Sequence, residues 1–398
     1  PIHLQLLGQP DGTALAQWSP NALGQSATGY RVWISNDGFA FRLAGNTNEP
    51  TFPITDTILG QPLSVYVTAT NAGGESFPSA TLSVLPSCNP RTERALIVQG
   101  FTRMDRFGLP TEDLSAYGLG DVIRFDADRL NTFDYSQQHG TALAAAGIPY
   151  DSVDATAVES GLTPLPGYAM VDWILGEEST ENETFSAVEQ DWIAQYLNSG
   201  GALFVSGSEI AWDLDLKGTE SDRLFAETYL HVALDLDDAD TLYLDNGMSF
   251  ESSYPVDYPD QLFALNGGES LWRYDGGGIA AVSFTGNYTV VTAGFPLETI
   301  ATEEHRAELM AQARNILNVE TAIDLCAEPT PPDNTPVPDT KSDLENSSWV
   351  HSSRTSGTSR TSDSSCGFVS ARPQPLAGLF LLVFSLLLFL SRRYWPQV

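Results

Sequence analysis

Three continuous apolar runs separated by helical patterns constrain the fold of this chain most strongly. The runs are Ala95–Gln99, Ala169–Leu175 and Ala202–Ser206. Such runs are typical of strands buried on both faces. Tyr135–Ala146 and a segment opened by the capping box of Ser186 and Glu189 predict the intervening helices. Alternating strands and helices predict an α/β doubly wound parallel-sheet domain, which we place at residues 87–326.

The negative charge of the chain is concentrated in this predicted domain. The 398 residues have a formal net charge of −32, and residues 87–326 contain 40 of the 51 Asp and Glu residues. So negative a surface repels phosphate backbones, which excludes nucleic acid as a partner. A solvated acidic surface and a cation-binding surface are both compatible with the charge.

Polar loops follow all three apolar runs, at the edge where doubly wound sheets bind ligands. We therefore predict contacts there to a hydroxylated or cationic ligand. The predicted ligand-binding residues are Arg103, Asp105, Glu177, Glu178, Ser206, Ser208, Glu209 and Asp213.

A catalytic interpretation uses part of the same set. Ser208 could be a nucleophile with His139 as base and Glu177 as orienting carboxylate. The structural alternative is that Ser206 and Ser208 cap the next segment and that His139 bonds a backbone carbonyl. Glu177 and Glu178 could form an acid/base pair, although adjacent strand residues point apart.

The sequence predicts no metal and no cofactor. It has no Cys-x-x-Cys or Cys/His zinc pattern. The run Asp235–Asp240 resembles a calcium loop only superficially, because Asp240 replaces the required Gly and Asn246 replaces the final Glu. We interpret this run as a solvated acidic loop, with calcium binding as the alternative.

Two of the three cysteines flank the acidic block. Cys88 and Cys326 could form a disulfide that joins the ends of the domain, because domain termini often lie close together. The alternative is two free thiols. Cys366 is then left for a processing role.

Residues 1–86 consist of short alternating segments separated by turns such as Pro10-Asp11-Gly12. Trp18, Tyr30, Val32 and the run Tyr66–Ser76 resemble a fibronectin type III domain. The resemblance implies an all-β seven-stranded sandwich that serves as a spacer or adhesion module, with Trp18 in its core.

The acidic block resembles the class I glutamine amidotransferase-like (flavodoxin-like) domains of secreted bacterial proteins named as xanthan lyases or murein amidases. The segments that carry the resemblance are Asn131–Gly140, Val171–Thr180, Leu203–Leu214 and Gly294–Ile300. The turn that matches the family's nucleophilic Cys is Ser206–Glu209, and Phe295–Glu298 matches its His-x-Glu pair. Neither the Cys nor the His is present, so the resemblance implies a non-catalytic descendant.

The C-terminal segments predict a membrane anchor. Residues 327–365 form a Pro/Ser/Thr-rich disordered linker, and the apolar stretch 373–391 before Arg392 predicts a transmembrane helix, with a buried core helix as the alternative. Residues 366–398 resemble the C-terminal sorting tails of myxobacterial surface proteins. The resemblance implies cleavage near Cys366, its lipidation, and export to the bacterial cell surface or outer membrane.

Together these features predict a cell-surface-anchored, non-catalytic interaction or adhesion protein that binds cell-wall or extracellular polysaccharide. The alternative is a fragment of a secreted glycan- or peptidoglycan-degrading lyase, hydrolase or murein amidase. Its catalytic domain would precede Pro1, or its pocket would lie at the strand ends of 87–326. Because export needs a signal sequence and the chain starts at Pro1, we expect a longer precursor.

Overall fold

The N-terminal strands form two antiparallel layers packed face to face. The computed structural model describes residues 1–21, 25–104, 111–124, 131–250 and 252–326. The first strands are β1 (Ile2–Gly8), β2 (Ala14–Ser19), β3 (Gly29–Ser35), β4 (Arg42–Thr47), β5 (Thr51–Ile54), β6 (Leu63–Asn71), β7 (Gly74–Glu75) and β8 (Leu82–Val84). One layer contains β1, β2 and β5, and the other contains β4, β3 and β6, with β7 and β8 paired to β6.

The predicted fibronectin type III-like sandwich is confirmed by this arrangement. Alternate residues of β2 (Ala14, Ala16 and Trp18) are buried, as a half-buried strand requires. Trp18 lies in the core, where its ring packs edge-on against Tyr30 at a centroid distance of 5.2 Å.

The rest of the described chain alternates strands with helices. The strands are β9 (Ala95–Gln99), β10 (Thr111–Asp113), β11 (Asp121–Ile123), β12 (Tyr150–Asp154), β13 (Met170–Gly176), β14 (Ala202–Gly207), β15 (Val232–Leu236), β16 (Gln261–Ala264), β17 (Glu269–Arg273), β18 (Ile279–Thr285) and β19 (Thr289–Ala293). The α-helices are α1 (Ser136–Ala145), α2 (Ala155–Glu159), α3 (Ala187–Asn198), α4 (Glu220–Phe225) and α5 (Glu303–Leu317). The predicted capping box is present at α3, where Ser186 and Glu189 bond each other's backbone N–H groups.

The prediction of a parallel sheet is wrong for the sheet as a whole. The described residues form a mixed sheet of 12 strands. Its centre is parallel, in the order β12, β9, β13, β14, β19. Antiparallel strands extend both edges: β18, β16 and β15 beyond β19, and β1, β2 and β5 beyond β12. The apolar runs identify the buried centre, but antiparallel strands such as β1, β2 and β15 are half-exposed and lack that signal.

The sandwich and the parallel strands share this sheet. Strand β1 pairs antiparallel with β12, with Gln5 opposite Val153 and Leu6 opposite Ser152. Without β1, strand β12 would be an edge strand with unpaired N–H and C=O groups. The pairing makes the sandwich a continuation of the sheet, and the described residues belong to one compact unit.

Helices cover both faces of the parallel strands. Helices α1 and α5 pack with one core, which includes Leu143 and Met310. Helices α2, α3 and α4 pack with the other, which includes Ile193 and Phe225. Burial on both faces explains why β9, β13 and β14 are buried along their whole length and mostly apolar.

The predicted disulfide is confirmed. Cys88 and Cys326 are bonded, with 5.3 Å between their Cα atoms. Hydrogen bonds join the same two segments, because Cys88 N–H donates to Asp324 and Asn89 donates to Ala322, both at 2.7 Å. The two ends of the α/β part are therefore held together both covalently and by hydrogen bonds.

We expect the double substitution Cys88→Ser/Cys326→Ser to lower the free energy of unfolding by about 2–4 kcal/mol, because the crosslink restricts the unfolded chain. Urea denaturation followed by circular dichroism measures this loss. Reduction of the wild type should have the same effect and should not affect the double variant. Overlapping curves for oxidised and reduced wild type would contradict the expectation.

The predicted membrane anchor is not supported, and we correct it. No helix in the described ranges is long and apolar enough to cross a membrane. The segment 373–391, the linker 327–365 and Cys366 lie outside the described residues. The predicted membrane partner and the predicted location at the bacterial surface both depended on this anchor. Neither assignment is supported without it.

Candidate functional site

The loops after β9, β13 and β14 meet at the carboxyl edge of the parallel strands. Arg103 forms an ion pair with Glu209, with 3.5 Å between Nη1 and the carboxylate oxygen. The same nitrogen donates to the main-chain oxygen of Glu177 at 2.9 Å. We call Arg103, Glu177, Glu178 and Glu209 the strand-end cluster. The structure therefore brings together four of the predicted ligand-binding residues, one or more from each loop.

Their position follows from the strand order. From β9 the chain proceeds to β12 on one side and later to β13 on the other. At such a reversal the connections leave opposite sides of the sheet, which opens a crevice at the carboxyl ends. The strand-end cluster lies at this reversal.

Glu178 anchors the loop after β9. One carboxylate oxygen accepts hydrogen bonds from the Thr102 hydroxyl at 2.9 Å, from Arg103 N–H at 2.7 Å, and from Thr102 N–H. Its side chain is buried, and burial raises the pKa of the carboxyl although these bonds oppose the shift. Glu178 therefore positions Arg103 rather than facing solvent.

Glu177 points away from Glu178, as adjacent strand-end residues should. Its Oε1 accepts a hydrogen bond from Asp257 N–H at 2.7 Å. Burial raises the pKa of Glu177 to about 8, and the nearby Asp257 and Glu209 charges add to the shift while Arg103 opposes it. At neutral pH the carboxyl is therefore largely protonated, and the predicted Glu177/Glu178 pair does not share a site.

The remaining predicted ligand-binding residues do not belong to the strand-end cluster. Ser206 and Ser208 are fully buried. Ser208 N–H donates to Gly176 at 2.8 Å, and the Ser208 carbonyl accepts from Asp260 N–H at 2.8 Å. Asp213 accepts from Thr184 N–H at 2.8 Å. Asp105 lies outside the described residues.

An acidic groove adjoins the strand-end cluster. It has a volume of about 360 Å³. We call it the acidic groove and define it by Asp238, Asp240, Asp257 and Tyr258, all of them exposed. Asp257 joins it to the cluster through its bond to Glu177. The acidic run 235–240 was visible in the sequence, but its proximity to 256–259 depends on the pairing of β15 with β16.

Asp260 fixes the start of the helical segment that follows β14. Its Oδ2 accepts from Ala211 N–H at 2.6 Å and from Trp212 N–H at 3.3 Å, at the start of the π-helical segment Trp212–Lys217. The side chain is fully buried, and burial raises the pKa of Asp260 well above its usual range. No sequence motif identified this residue.

His139 lies in the core between two carboxylates. Its Nδ1 lies 2.9 Å from Asp172 Oδ2, and its Nε2 lies 3.2 Å from Glu298 Oε2. The Tyr254 hydroxyl donates to the other Glu298 oxygen at 2.7 Å. Burial alone would lower the pKa of His139, but Asp172 and Glu298 outweigh it and raise the pKa to about 9. His139 is therefore a charged imidazolium that donates from both nitrogens.

This arrangement does not assemble the hypothetical catalytic triad. A general base needs an unprotonated nitrogen within reach of the nucleophile. Both nitrogens of His139 are directed at Asp172 and Glu298, whereas Ser208 bonds to main-chain groups around Gly176 and Asp260. Within the described ranges, no three His, Cys, Asp or Glu side chains are grouped so that they could hold a metal ion.

Comparisons with known proteins concern a small part of the chain. No family model and no curated protein matches it. Solved structures that match include titin domains (17% identity, 21% of this chain and 30% of that chain, TM-score 0.20). An Fn3-like protein from Clostridium thermocellum also matches (24% identity, 21% of this chain and 86% of that chain, TM-score 0.19). The fibronectin type III domain of the human collagen alpha-1(XX) chain also matches (16% identity, 22% of this chain and 83% of that chain, TM-score 0.19). The chain spans about a third of the titin chain.

Proposed function

We propose that this chain is a non-catalytic binding protein that holds a polysaccharide in the acidic groove. The observation that carries the proposal is the placement of an exposed tyrosine and three exposed aspartates beside the strand-order reversal. Tyr258 is 52% exposed, so much of its ring is accessible to a ligand in the groove. Grooves at this edge are the usual ligand sites of sheets with this order.

The chemistry of the groove favours a ligand with many hydroxyl groups. Ionised carboxylates only accept hydrogen bonds, so the groove requires donors from its ligand. A sugar supplies such donors, and its C–H faces pack against aromatic rings such as that of Tyr258. Phosphate-bearing ligands are repelled by Asp238, Asp240 and Asp257.

Two features support binding without catalysis. The charged His139 has no nitrogen free to act as a base. In addition, the resemblance of 87–326 to amidotransferase-like domains places a Cys and a His where this chain has Ser206–Glu209 and Phe295–Glu298. A domain that keeps the architecture without these groups is suited to recognition.

We expect Tyr258→Ala and Asp257→Asn each to weaken binding of a soluble oligosaccharide about tenfold or more. Asp257→Asn removes a hydrogen bond to a charged group, which is worth about 1.5–3 kcal/mol, and Tyr258→Ala removes the ring against which the sugar packs. Asp257→Asn keeps the backbone N–H that bonds Glu177. Isothermal titration with a panel of xylo-, cello- and chito-oligosaccharides measures the affinity.

Tyr117→Ala is the matched control. Tyr117 is 79% exposed and lies between β10 and β11, outside the groove. It should bind as the wild type does. Equal affinity of wild type, Tyr258→Ala and Asp257→Asn for every oligosaccharide bound would remove the groove as the site.

Cleavage of a glycan at the same edge is the second candidate function. One observation favours it: burial raises the pKa of Glu177 to about 8, so this side chain could serve as a general acid at neutral pH. Release of new reducing ends by the wild type, lost in Glu177→Gln, would support this candidate over binding alone.

A further inference from the structure

We propose that Cys88–Cys326 is a redox-active disulfide, which a dithiol reductant cleaves in the folded chain, and that cleavage releases a short strap from the junction between the sandwich and the α/β part. The strap consists of residues 322–326. The proposal concerns a different site from the acidic groove and does not rest on the function of the groove.

Two residues hold the strap in place by hydrogen bonds. Asn89 is 2% exposed; its Nδ2 donates to the Ala322 carbonyl and its Oδ1 accepts from Asp324 N–H, both at 2.7 Å. Cys88 N–H donates to the Asp324 carbonyl at 2.7 Å. None of the five strap residues is buried. A segment with few buried contacts and exposed hydrogen bonds opens at a low free energy, so the disulfide is the bond that keeps the strap closed.

The end of the strap contacts the sandwich. Leu325 lies against the turn at Gly60, where an added Cβ atom would be 2.9 Å from Leu325 Cδ2. Cys326 lies against the turn at Gly12, where an added Cβ atom would be 3.6 Å from Cys326 Sγ. The strap therefore joins the two parts of the molecule, because the α/β part supplies the strap and the sandwich supplies both turns.

The residues just before the strap are fixed independently of the disulfide. The Thr321 hydroxyl donates to the Glu93 carbonyl at 2.8 Å, and Arg314 of α5 donates to the Thr321 carbonyl at 2.8 Å and to the Val319 carbonyl at 2.9 Å. The Val319 side chain is buried in the core that includes Met310 of α5. Reduction should therefore release the strap alone and leave α5 in place.

The position of the disulfide suits reversible reduction. Both cysteines are half-buried, so the bond lies near the surface rather than in the core. Exposed disulfides are the labile and regulatory ones, whereas structural disulfides resist reduction. In the closed strap the two Cα atoms are 5.3 Å apart, which lies within the range that a disulfide requires. A reduced chain that recloses its strap can therefore be reoxidised.

The reaction is a thiol–disulfide exchange. A thiolate of the dithiol attacks one sulfur of the Cys88–Cys326 bond, which forms a mixed disulfide and releases the other cysteine as a thiolate. The second thiol of the reductant then breaks the mixed disulfide. Two electrons and two protons pass to the two cysteines, and the dithiol is oxidised to its cyclic disulfide.

Hydrogen exchange of the folded full chain, followed by mass spectrometry, tests the proposal with dithiothreitol as the reductant. We expect dithiothreitol to reduce the bond without unfolding the chain. Peptides that contain residues 86–90 or the strap should then exchange about tenfold faster or more. Peptides from β13 and β14 should stay unexchanged for the first minutes in both states. Reoxidation should restore slow exchange.

Two variants serve as controls. Cys366→Ser, introduced into every protein, prevents the third thiol of the chain from exchanging with the pair. Cys88→Ser/Cys326→Ser should show the fast strap exchange with and without dithiothreitol; if it fails to fold, the reduced wild type gives the same comparison.

Three outcomes would overturn the proposal. The first is a bond that dithiothreitol reduces only when β13 and β14 also exchange, because reduction would then require global unfolding. The second is equal exchange of the strap in the oxidised and reduced chains, because hydrogen bonds alone would then hold it. The third is slow strap exchange in the double serine variant.

Discussion

Replacing Arg94 by alanine should lower the free energy of unfolding by about 3–5 kcal/mol, because it leaves a buried carboxylate without its cation. The Arg94 side chain is 1% exposed, and its Nε lies 2.6 Å from Asp151 Oδ1. Its remaining nitrogens donate to the Ser87 hydroxyl and to the carbonyls of Leu85 and Tyr150, at 2.7–2.8 Å. The bonds to Leu85 and Ser87 join the end of the sandwich to the start of the α/β part, and those to Tyr150 and Asp151 tie the same side chain to β12.

Asp151 extends the same network to β1. Its Oδ1 also accepts from Gly8 N–H at 2.8 Å, and its Oδ2 accepts from the Tyr168 hydroxyl at 3.1 Å. Loss of Arg94 therefore weakens the junction at which β1 enters the large sheet. Chemical denaturation followed by fluorescence measures the effect.

Arg42→Ala provides the comparison. Arg42 forms an ion pair with Asp56 at 2.6 Å, but both side chains are more than half exposed. Such surface pairs contribute about 0–1 kcal/mol. If Arg94→Ala were no more destabilising than Arg42→Ala, the junction would not depend on the buried ion pair.

His139→Gln should also destabilise the fold by about 3 kcal/mol or more below pH 6.5, where the imidazolium contributes fully. The pKa of about 9 in the folded chain against an ordinary 6.5 corresponds to about 3 kcal/mol. Because the folded-state pKa is raised, this contribution is complete below pH 6.5 and is lost as the pH rises through 9. Wild-type stability should therefore fall across this window.

A double variant isolates the charge. His139→Gln/Asp172→Asn removes the cation and one carboxylate together, so it should be more stable than His139→Gln alone and should lack most of the pH slope. His231→Gln is the control, because burial lowers the pKa of His231 and the ring is already neutral above pH 6.5. It should keep the wild-type slope. A wild-type stability that is constant from pH 6.5 to 9 would contradict a charged His139.

Local features were predictable from the sequence, whereas distant pairings were not. The capping box of α3 and the strand Ala95–Gln99 depend on neighbouring residues. The disulfide joins residues 238 positions apart and is an exception, because two cysteines that flank the acidic block indicate it without any periodicity. The edge pairing of β1 with β12 joins residues almost 150 positions apart, and no periodicity within either strand encodes it. This pairing and the antiparallel strands β15–β18 explain why the predicted separate parallel sheet was wrong.

The candidate site shows the same division. The convergence of Arg103, Glu177 and Glu209 follows from the rule that parallel strands end at one edge. The partners of His139 could not be predicted, because Asp172 lies inside an apolar run that indicates only a strand. Glu298 is 159 residues from His139, and the acidic groove likewise needs two loops brought together by the β15–β16 pairing.

Parallel measurement of binding and product release tests the central claim, that this chain binds polysaccharide without cleaving it. The protein is incubated with each xylo-, cello- and chito-oligosaccharide of the titration panel, and the bound fraction is recorded together with new reducing ends and unsaturated products. We predict saturable binding that Tyr258→Ala weakens, with product release no higher than that of Glu177→Gln. Product release by the wild type that Glu177→Gln abolishes would contradict the account.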